Sequence, residues 1–233
     1  MTGYLHAIIV RARPYDLVVP RLSTLLRTNG IRSLTDLCSG AGGPWPELRE
    51  TLAAAGAPVD VTCTDLEPNR AAAARLAGAA GLRYHATPVS ALAVPGDLQG
   101  ARTMFSALHH FDPDDIRRIL ADAQRAGEPF SAFEATSRSA RGILATLVIP
   151  IAVLVLMPTV RPRDWRALLF TYLIPLLPLA IWWDGLVSTL RTCLVDELRA
   201  IVRTLPPAAY DWQVEEIGGG PLPVLAVVGQ PRP

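Results

Sequence analysis

Residues 34–44 read LTDLCSGAGGP, an apolar run that breaks into glycines. Ile31, Leu34 and Leu37 give the run before the break the character of a buried strand, and a helix-forming run, residues 45–55, follows at once. Glycines let the backbone turn sharply and approach a ligand closely, and a helix N-terminus offers unpaired N–H groups. This layout is typical of a nucleotide or cofactor site, although small-residue turns after strands also occur without a ligand.

A second acidic strand end favours the ligand-binding interpretation. Residues 59–65, VDVTCTD, form another strand-like run that ends in Asp65, about thirty residues after Asp36. In a βαβ unit, a carboxylate that binds a ribose lies at this place. The alternative for Asp65 is an aspartate that only caps a helix or a turn.

At these residues the chain resembles the class I methyltransferases that depend on S-adenosylmethionine (SAM). That family has an acid-x-Gly-x-Gly-x-Gly loop after its first strand and an acid at the end of its second. Here Cys38 stands at the first glycine, while Gly40 and Gly42 match. Residues 103–111, TMFSALHHF, resemble the end of the family's fourth strand. The resemblance covers about residues 33–136, a little under half of the chain.

The resemblance implies an α/β fold with a Rossmann-like, seven-stranded sheet whose last strand is antiparallel. It also implies SAM as the cofactor and S-adenosylhomocysteine (SAH) as the product. Asp65 would then accept hydrogen bonds from both ribose hydroxyls, and Leu66 would lie against the adenine. The family's acid after strand three is missing, because Thr87–Ser90 follow that strand here. The implied cofactor-binding residues are Asp36, Cys38, Ser39, Gly40, Gly42, Asp65, Leu66 and Ser106.

Two histidines follow the predicted fourth strand. His109 is a candidate general base, because imidazole titrates near neutral pH. The alternative is that His109 and His110 only shape the pocket or bond to backbone. Asp112, Asp114 and Asp115 come next, and an N-cap with the first turn of a helix explains all three. Adjacent residues of an extended strand point in opposite directions, so we expect no metal site.

Residues 142–183 are predicted to be an apolar helical insertion between strands five and six. Residues 142–160 and 167–183 contain no charged residue, and prolines interrupt both runs. Each run is shorter than the roughly twenty apolar residues that a membrane span needs. Three interpretations stay open: transmembrane helices, a hairpin that dips into one leaflet, and a lid or dimer interface that walls an apolar pocket. The position between strand five and the last helix favours the lid or interface.

Polar residues beside the insertion are candidate substrate ligands. Asp184, Ser188 and Arg191 share a helix face by their spacing. Arg191 is suited to hold a substrate carboxylate or carbonyl, or to pair with Asp184. Glu134 ends predicted strand five, where it would face the ligand crevice of an open α/β sheet or pair with a nearby arginine. The predicted substrate contacts are His110, Glu134, Asp184, Ser188 and Arg191.

The chain of 233 residues is expected to form one domain with an insertion. Residues 1–30 are predicted to be an N-terminal helical cap, with an amphipathic helix over residues 15–28. Residues 31–141 and 184–233 are predicted to form the core. Two adjacent strands near the C-terminus, within residues 212–228, predict an antiparallel hairpin.

Composition argues against several classes of protein. A net charge of +1 is too small for a nucleic-acid partner, which needs a clustered basic excess. Lysine is absent and the chain has 21 prolines, which fits a GC-rich bacterial genome. Three scattered cysteines without a CxxC pair indicate a reducing compartment, and the first residues do not resemble a signal peptide. We therefore expect a protein that is cytoplasmic or peripheral to the inner face of the membrane.

The sequence thus predicts a methyltransferase that transfers a methyl group from SAM to an O, N or C nucleophile. Its substrate would be small and largely apolar, such as a natural product or a lipid-like molecule. The alternative is a catalytically inactive, membrane-associated or partner-binding protein of the same fold, which Cys38 and the missing acid after strand three favour. A nicotinamide-dependent oxidoreductase is a third possibility, against which the thin glycine loop and the antiparallel last strand argue.

Overall fold

The computed structural model describes residues 13–98, 100–160, 164–218 and 223–232. Its centre is a seven-stranded sheet in the order β3-β2-β1-β4-β5-β7-β6. β7 pairs antiparallel with both β5 and β6, and the other neighbouring strands are parallel. The predicted sheet is therefore confirmed. Its strands are β1 (Ser33–Leu37), β2 (Asp60–Cys63), β3 (Leu82–Tyr84), β4 (Ala101–Phe105), β5 (Phe130–Glu134), β6 (Tyr210–Ile217) and β7 (Val224–Pro231).

Nine α-helices lie in the described part of the chain, with three short 3-10 helices and one π-helical turn. Residues 1–12 of the predicted N-terminal cap lie outside the described residues. The α-helices are α1 (Val19–Thr28), α2 (Trp45–Ala54), α3 (Arg70–Leu76), α4 (Pro113–Ala126), α5 (Ala140–Thr146), α6 (Ile149–Leu156), α7 (Trp165–Leu168), α8 (Leu176–Arg191) and α9 (Val195–Arg203). The 3-10 helices are Pro14–Val18, Leu108–His110 and Met157–Thr159, and the π-helical turn is Leu169–Leu173.

The sheet is covered on both faces. All five residues of β4 and all five of β5 are buried, as expected for central strands between two helical layers. On one face, α1 and α2 pack on the sheet through Leu22 and Trp45, among others. On the other face, α4 and α9 pack through Ile119 and Leu198, among others. The two layers leave the carboxyl ends of the parallel strands as the edge where ligands bind in open α/β sheets.

The predicted insertion is helical and forms a small cluster of its own. Val153 and Met157 are buried against Ile181 of α8. Gly185 allows α8 to approach α6 closely, because a Cβ there would lie 2.5 Å from Cδ1 of Ile149. The division of the chain into cap, core and insertion stays a prediction.

By length and composition alone, one helical stretch, Ala140–Thr159, could cross a membrane. This stretch has 20 residues and is longer than the uncharged run 142–160 that the sequence showed, because the helix already begins at Ala140. Of the 18 most apolar consecutive residues in this stretch, 22% are buried inside the protein. Two further helical segments are long and apolar enough to cross a membrane only when they are counted as one: Trp165–Leu173 and Leu176–Arg191. The chain bends by 85° between them.

Candidate functional site

The glycine loop leaves the carboxyl end of β1 through several left-handed backbone conformations. Gly40 and Gly42 have φ angles of +52° and +97°. A Cβ at Gly42 would also lie 3.1 Å from Cδ1 of Leu76. Cys38 has a φ of +57°, which suits the glycine that the family has at this position and costs a residue with a side chain about 1–2 kcal/mol. The loop therefore keeps a glycine-like shape at the one position where the sequence departs from the pattern.

Asp36 lies beneath this loop and is 1% exposed. Its Oδ2 accepts a hydrogen bond of 2.6 Å from Ser39 Oγ, and its Oδ1 accepts one of 2.7 Å from Thr103 Oγ1. Burial raises the pKa of this carboxyl to about 6, although the two hydroxyl donors oppose the shift. Both oxygens are engaged within the protein, so Asp36 joins the glycine loop to β4. The sequence predicted Asp36 as a direct cofactor ligand and missed Thr103, although Asp36 pairs with Thr103 in the β1–β4 register.

Asp65 follows β2 and reaches across to the same loop. Its Oδ2 accepts a hydrogen bond of 2.8 Å from the N–H of Gly40, and its Oδ1 accepts one of 3.0 Å from the N–H of Glu67. Asn69 caps α3 by accepting a hydrogen bond from Ala72 N, so Asp65 does not cap this helix. The bond from Glu67 N is the turn contact that the alternative for Asp65 also allowed. The carboxylate is half-buried at the carboxyl edge of the sheet.

The residues beside Asp65 complete this edge. Leu66 is 63% exposed. The segment after β3, which lacks the family's acid, lies against Asp65 because Val89 N donates a hydrogen bond of 2.9 Å to the Asp65 carbonyl. Ser90, one of the hydroxyls in that segment, accepts a hydrogen bond from Leu92 N within its own turn.

β4 ends sooner than the sequence predicted. Its last residue is Phe105, and Ser106 turns the chain with a φ of +45°. Ser106 Oγ lies 2.6 Å from the hydroxyl of Tyr15, which is buried and packs edge-on against Phe105. Burial raises the pKa of the Tyr15 hydroxyl. The sequence analysis placed Tyr15 only at the start of an amphipathic helix and missed this contact, because no local pattern links residues 91 positions apart.

Glu134, at the end of β5, forms a buried pair with His109. Its Oε2 lies 2.7 Å from Nδ1 of His109. Its Oε1 accepts hydrogen bonds of 2.7 Å from the N–H groups of Ala107 and Leu108. The predicted pairing of Glu134 with a nearby arginine is therefore wrong. Nor does the geometry favour the predicted substrate contact, because this carboxylate is only 3% exposed and already has three hydrogen-bond partners within the protein.

The two histidines lie on the 3-10 turn Leu108–His110, not on an extended strand. Their ring centroids are 4.2 Å apart, so the expectation that they point in opposite directions is wrong. Burial and the neighbouring His109 lower the pKa of His110. Among the residues that the structure describes, no group of three or more histidines, cysteines and acids is placed to hold a metal ion.

Arg191 connects the insertion to this turn. Its Nε donates a hydrogen bond of 3.0 Å to the carbonyl of His109, and a second nitrogen donates one of 3.2 Å to the carbonyl of His110. Two nitrogens of the guanidinium therefore hold the turn, and Arg191 is not paired with Asp184, which was one alternative from the sequence. Its predicted contact with a substrate stays a prediction. Asp184 and Ser188 lie on α8 with Arg191, as predicted from their spacing.

Two shallow depressions lie away from this edge. One, of about 390 Å³, lies near the amino ends of β1 and β4. The other, of about 500 Å³, lies between α1 and β6. Ligands of open α/β sheets bind outside the carboxyl ends of the strands, so neither depression competes with the site at the glycine loop.

Comparison with solved structures shows which fold this is. No family model and no curated protein matches the chain. The plantazolicin methyltransferase BpumL in complex with SAH matches with a TM-score of 0.62 and 10% identity over 98% of this chain and 89% of that one. The magnesium protoporphyrin IX methyltransferase ChlM from Synechocystis PCC 6803, with bound SAH, matches with a TM-score of 0.51 and 10% identity over 96% and 85%.

Some of the matched proteins are longer than this chain. TnmH matches with a TM-score of 0.55 and 15% identity, and the chain covers 57% of its length. The chain spans 47% of the citrinin polyketide synthase CMeT domain, at a TM-score of 0.50. Identities this low show a shared fold. The chain has the seven-stranded, Rossmann-like fold of the class I methyltransferases.

Proposed function

We propose that this chain is a SAM-dependent methyltransferase that acts on a small, largely apolar substrate and releases SAH. The observation that carries the proposal is the hydrogen bond between the Asp65 carboxylate and the N–H of Gly40. It brings the acid after β2 and the glycine loop after β1 together at the carboxyl edge of the sheet. Proteins of the same fold are described as methyltransferases, and two were solved with SAH.

The donor set at this edge fits the cofactor. The half-buried Asp65 carboxylate is suited to accept hydrogen bonds from a ribose diol, and exposed Leu66 offers an apolar surface to an adenine. The left-handed turns at Cys38, Gly40 and Gly42 bring backbone close to a ligand. When bound, SAM supplies a methyl group on a positively charged sulfur, which is already activated for transfer.

His109 is the candidate general base. An ionised Glu134 accepts a hydrogen bond from Nδ1–H of His109, which leaves the lone pair of Nε2 to accept a proton. No hydrogen-bond partner of Nε2 lies in the described part of the chain. As the acceptor atom of a substrate hydroxyl bonds to the methyl carbon, its proton would pass to Nε2. Glu134 is then a positioning residue that fixes the tautomer and orientation of the ring.

We propose that the substrate binds on the side of the turn Leu108–His110 (the histidine turn) that faces the insertion. α8 brings Asp184 and Ser188 near this turn, because Arg191 at its end holds the carbonyls of His109 and His110. Asp184 also acts electrostatically on His110. A few polar groups beside an apolar wall are what fix the orientation of an apolar substrate.

Calorimetric titration of the purified chain with SAM and with SAH tests the proposal. Micromolar binding of both is the expected result. If the folded protein binds neither ligand, the proposed enzymatic function is wrong. The second candidate is then favoured, a protein of this fold that binds a partner or membrane without catalysis. The observation that favours this second candidate is the large exposed apolar surface of the insertion.

A further inference from the structure

The outer side of the insertion is an apolar surface that nothing in the described structure covers. We define the outer face by four residues on one side of the stretch Ala140–Thr159 that are 57–67% exposed: Leu147, Val148, Ile151 and Val155. A contiguous exposed apolar patch on a globular protein marks an interaction site.

The helices of the insertion are apolar on both sides, and only one side is used within the protein. Val153 is fully buried against α8. Ile151 and Val155, two positions to either side of it, lie on the exposed side of the same helix. A core helix of a soluble domain would bury its apolar side and present polar residues to water. The outer face therefore needs a partner that is itself apolar.

The charges that neighbour the first uncharged run in the sequence favour a lipid surface over a second copy. The connector between the two uncharged runs, RPRDWR, has three arginines and one aspartate, and Arg141 flanks the first run. That aspartate, Asp164, already caps α7 by accepting a hydrogen bond of 2.9 Å from Arg166 N. Two copies of the connector would bring six arginines together with only two aspartates, three arginines and one aspartate from each copy, so like charges would repel. An anionic leaflet offers one charge per headgroup.

Aromatic and basic side chains meet at the border of the face. Trp165 is 68% exposed, and the guanidinium of Arg166 lies 5.6 Å from the centre of its ring. Tryptophan and arginine are the residues that settle at the boundary between acyl chains and headgroups. Their place at the end of an uncharged helical run is that of an interfacial anchor.

The shape of the insertion suits one leaflet. The second helical pair bends by 85° near Pro175, so it does not run straight across a bilayer. The helix Ala140–Thr159 is fixed to the protein along its Val153 side, so only its other side is available to lipid.

We infer that the outer face docks on an anionic lipid bilayer and inserts into one leaflet. This inference concerns a surface apart from the proposed cofactor site and does not depend on methyl transfer. α8 packs through Ile181 on the opposite, buried side of this stretch, and its last residue, Arg191, donates hydrogen bonds to the carbonyls of His109 and His110.

Co-sedimentation of the full chain with vesicles tests the inference. One set of vesicles contains phosphatidylcholine alone, and the other also contains phosphatidylglycerol. The wild type should bind the anionic vesicles more tightly. The double variant Leu147→Gln/Ile151→Gln should lose at least about tenfold in partitioning, and Arg166→Gln should lose about fivefold on anionic vesicles only. Leu17→Gln is the matched control, because Leu17 is an exposed apolar residue outside the insertion. This variant should bind vesicles like the wild type.

A second measurement does not depend on whether the double variant folds. Vesicles with brominated acyl chains should quench tryptophan fluorescence of the wild type, and Trp165→Phe should reduce the quenched fraction. The inference is overturned if wild-type protein neither sediments with anionic vesicles nor is quenched. It is also overturned if the double variant, folded by circular dichroism, binds like the wild type. If the wild type is a dimer that does not bind vesicles, and the double variant is a monomer, the outer face is instead an interface with a second copy.

Discussion

Cys38 and Ser106 are residues with side chains held in the left-handed backbone region, with φ angles of +57° and +45°. Each such conformation costs about 1–2 kcal/mol relative to an ordinary one. They end β1 and β4, the two central neighbouring strands, and both face the carboxyl edge of the sheet. Strain of this kind persists where the surroundings fix it, and it concentrates at functional sites. At the scale of single residues, the backbone therefore marks the same edge as the side chains of Asp65 and His109.

Asp65→Ala should weaken the binding of SAM and SAH by about 10- to 150-fold, because it removes charged hydrogen bonds worth about 1.5–3 kcal/mol. Asp60→Ala is the matched control, since Asp60 is an exposed acid at the other end of the same strand and lies 3.5 Å from Arg49. Its affinity should match the wild type in the same calorimetric titration. An Asp65→Ala variant with wild-type affinity would show that the cofactor is placed wrongly.

Asp36 should give the folding free energy a pH dependence between about pH 4 and pH 6. Its pKa is about 6 in the folded protein and about 3.9 in an unfolded chain. In this window the folded state holds the proton more tightly, so stability falls as the pH rises and levels off above pH 6. The fall should be about 3 kcal/mol.

Urea unfolding of the wild type and of Asp36→Asn across this range measures that contribution. The neutral amide lacks the titration, so the variant should gain stability relative to the wild type as the pH rises from 4 to 6. A difference between the two proteins that stays constant with pH would contradict the assignment of a raised pKa to this carboxyl.

At the scale of elements, α4 offers a direct test of a cap that both the sequence and the structure identify. Asp112 Oδ1 accepts a hydrogen bond of 2.8 Å from Asp115 N at the start of this helix. Asp112→Ala should lower the free energy of unfolding by about 1 kcal/mol. Asp114→Ala, which removes a first-turn acid without a cap, should cost less. Equal losses for the two variants in denaturant titration would mean that the cap contributes nothing beyond charge.

The elements that follow one another along the chain were predictable from sequence, because turn chemistry and hydrophobic period are local. The glycine loop, the strand that ends before Asp65 and the terminal hairpin all follow from residues within a few positions of each other. The end of β4 was placed too late because Ser106 is an ordinary residue for a strand, and only the left-handed turn shows where the strand stops.

Contacts between elements were harder to predict, because spacing along the chain does not encode them. The sequence identified Glu134 and His109 separately, and it assigned one to substrate and the other to catalysis. Their buried contact depends on β5 lying beside β4 in the sheet. The two hydrogen bonds of Arg191 to the histidine turn likewise depend on how α8 packs, which a run of apolar residues does not specify.

At the scale of the whole molecule, ligand binding should be visible as thermal stability. A ligand at 100 times its Kd stabilises the folded state by about 2.7 kcal/mol. For a chain of this length, that should raise Tm by about 5–10 °C. SAH is the ligand to use, with NAD⁺ at the same concentration as the control. A shift with NAD⁺ and none with SAH would favour the oxidoreductase that the sequence left as its third possibility.

β6 is an outer strand of the sheet, and its eight residues include Asp211, Glu215 and Glu216. An open strand edge invites another chain to add to it, and like charges along the edge oppose that addition. At the other edge, β3 is only three residues long and offers little to pair with. Neither edge of the sheet therefore favours growth into fibrils. The concentration at which the purified protein stays in solution should therefore depend on the exposed apolar residues of the insertion, and not on the edges of the sheet.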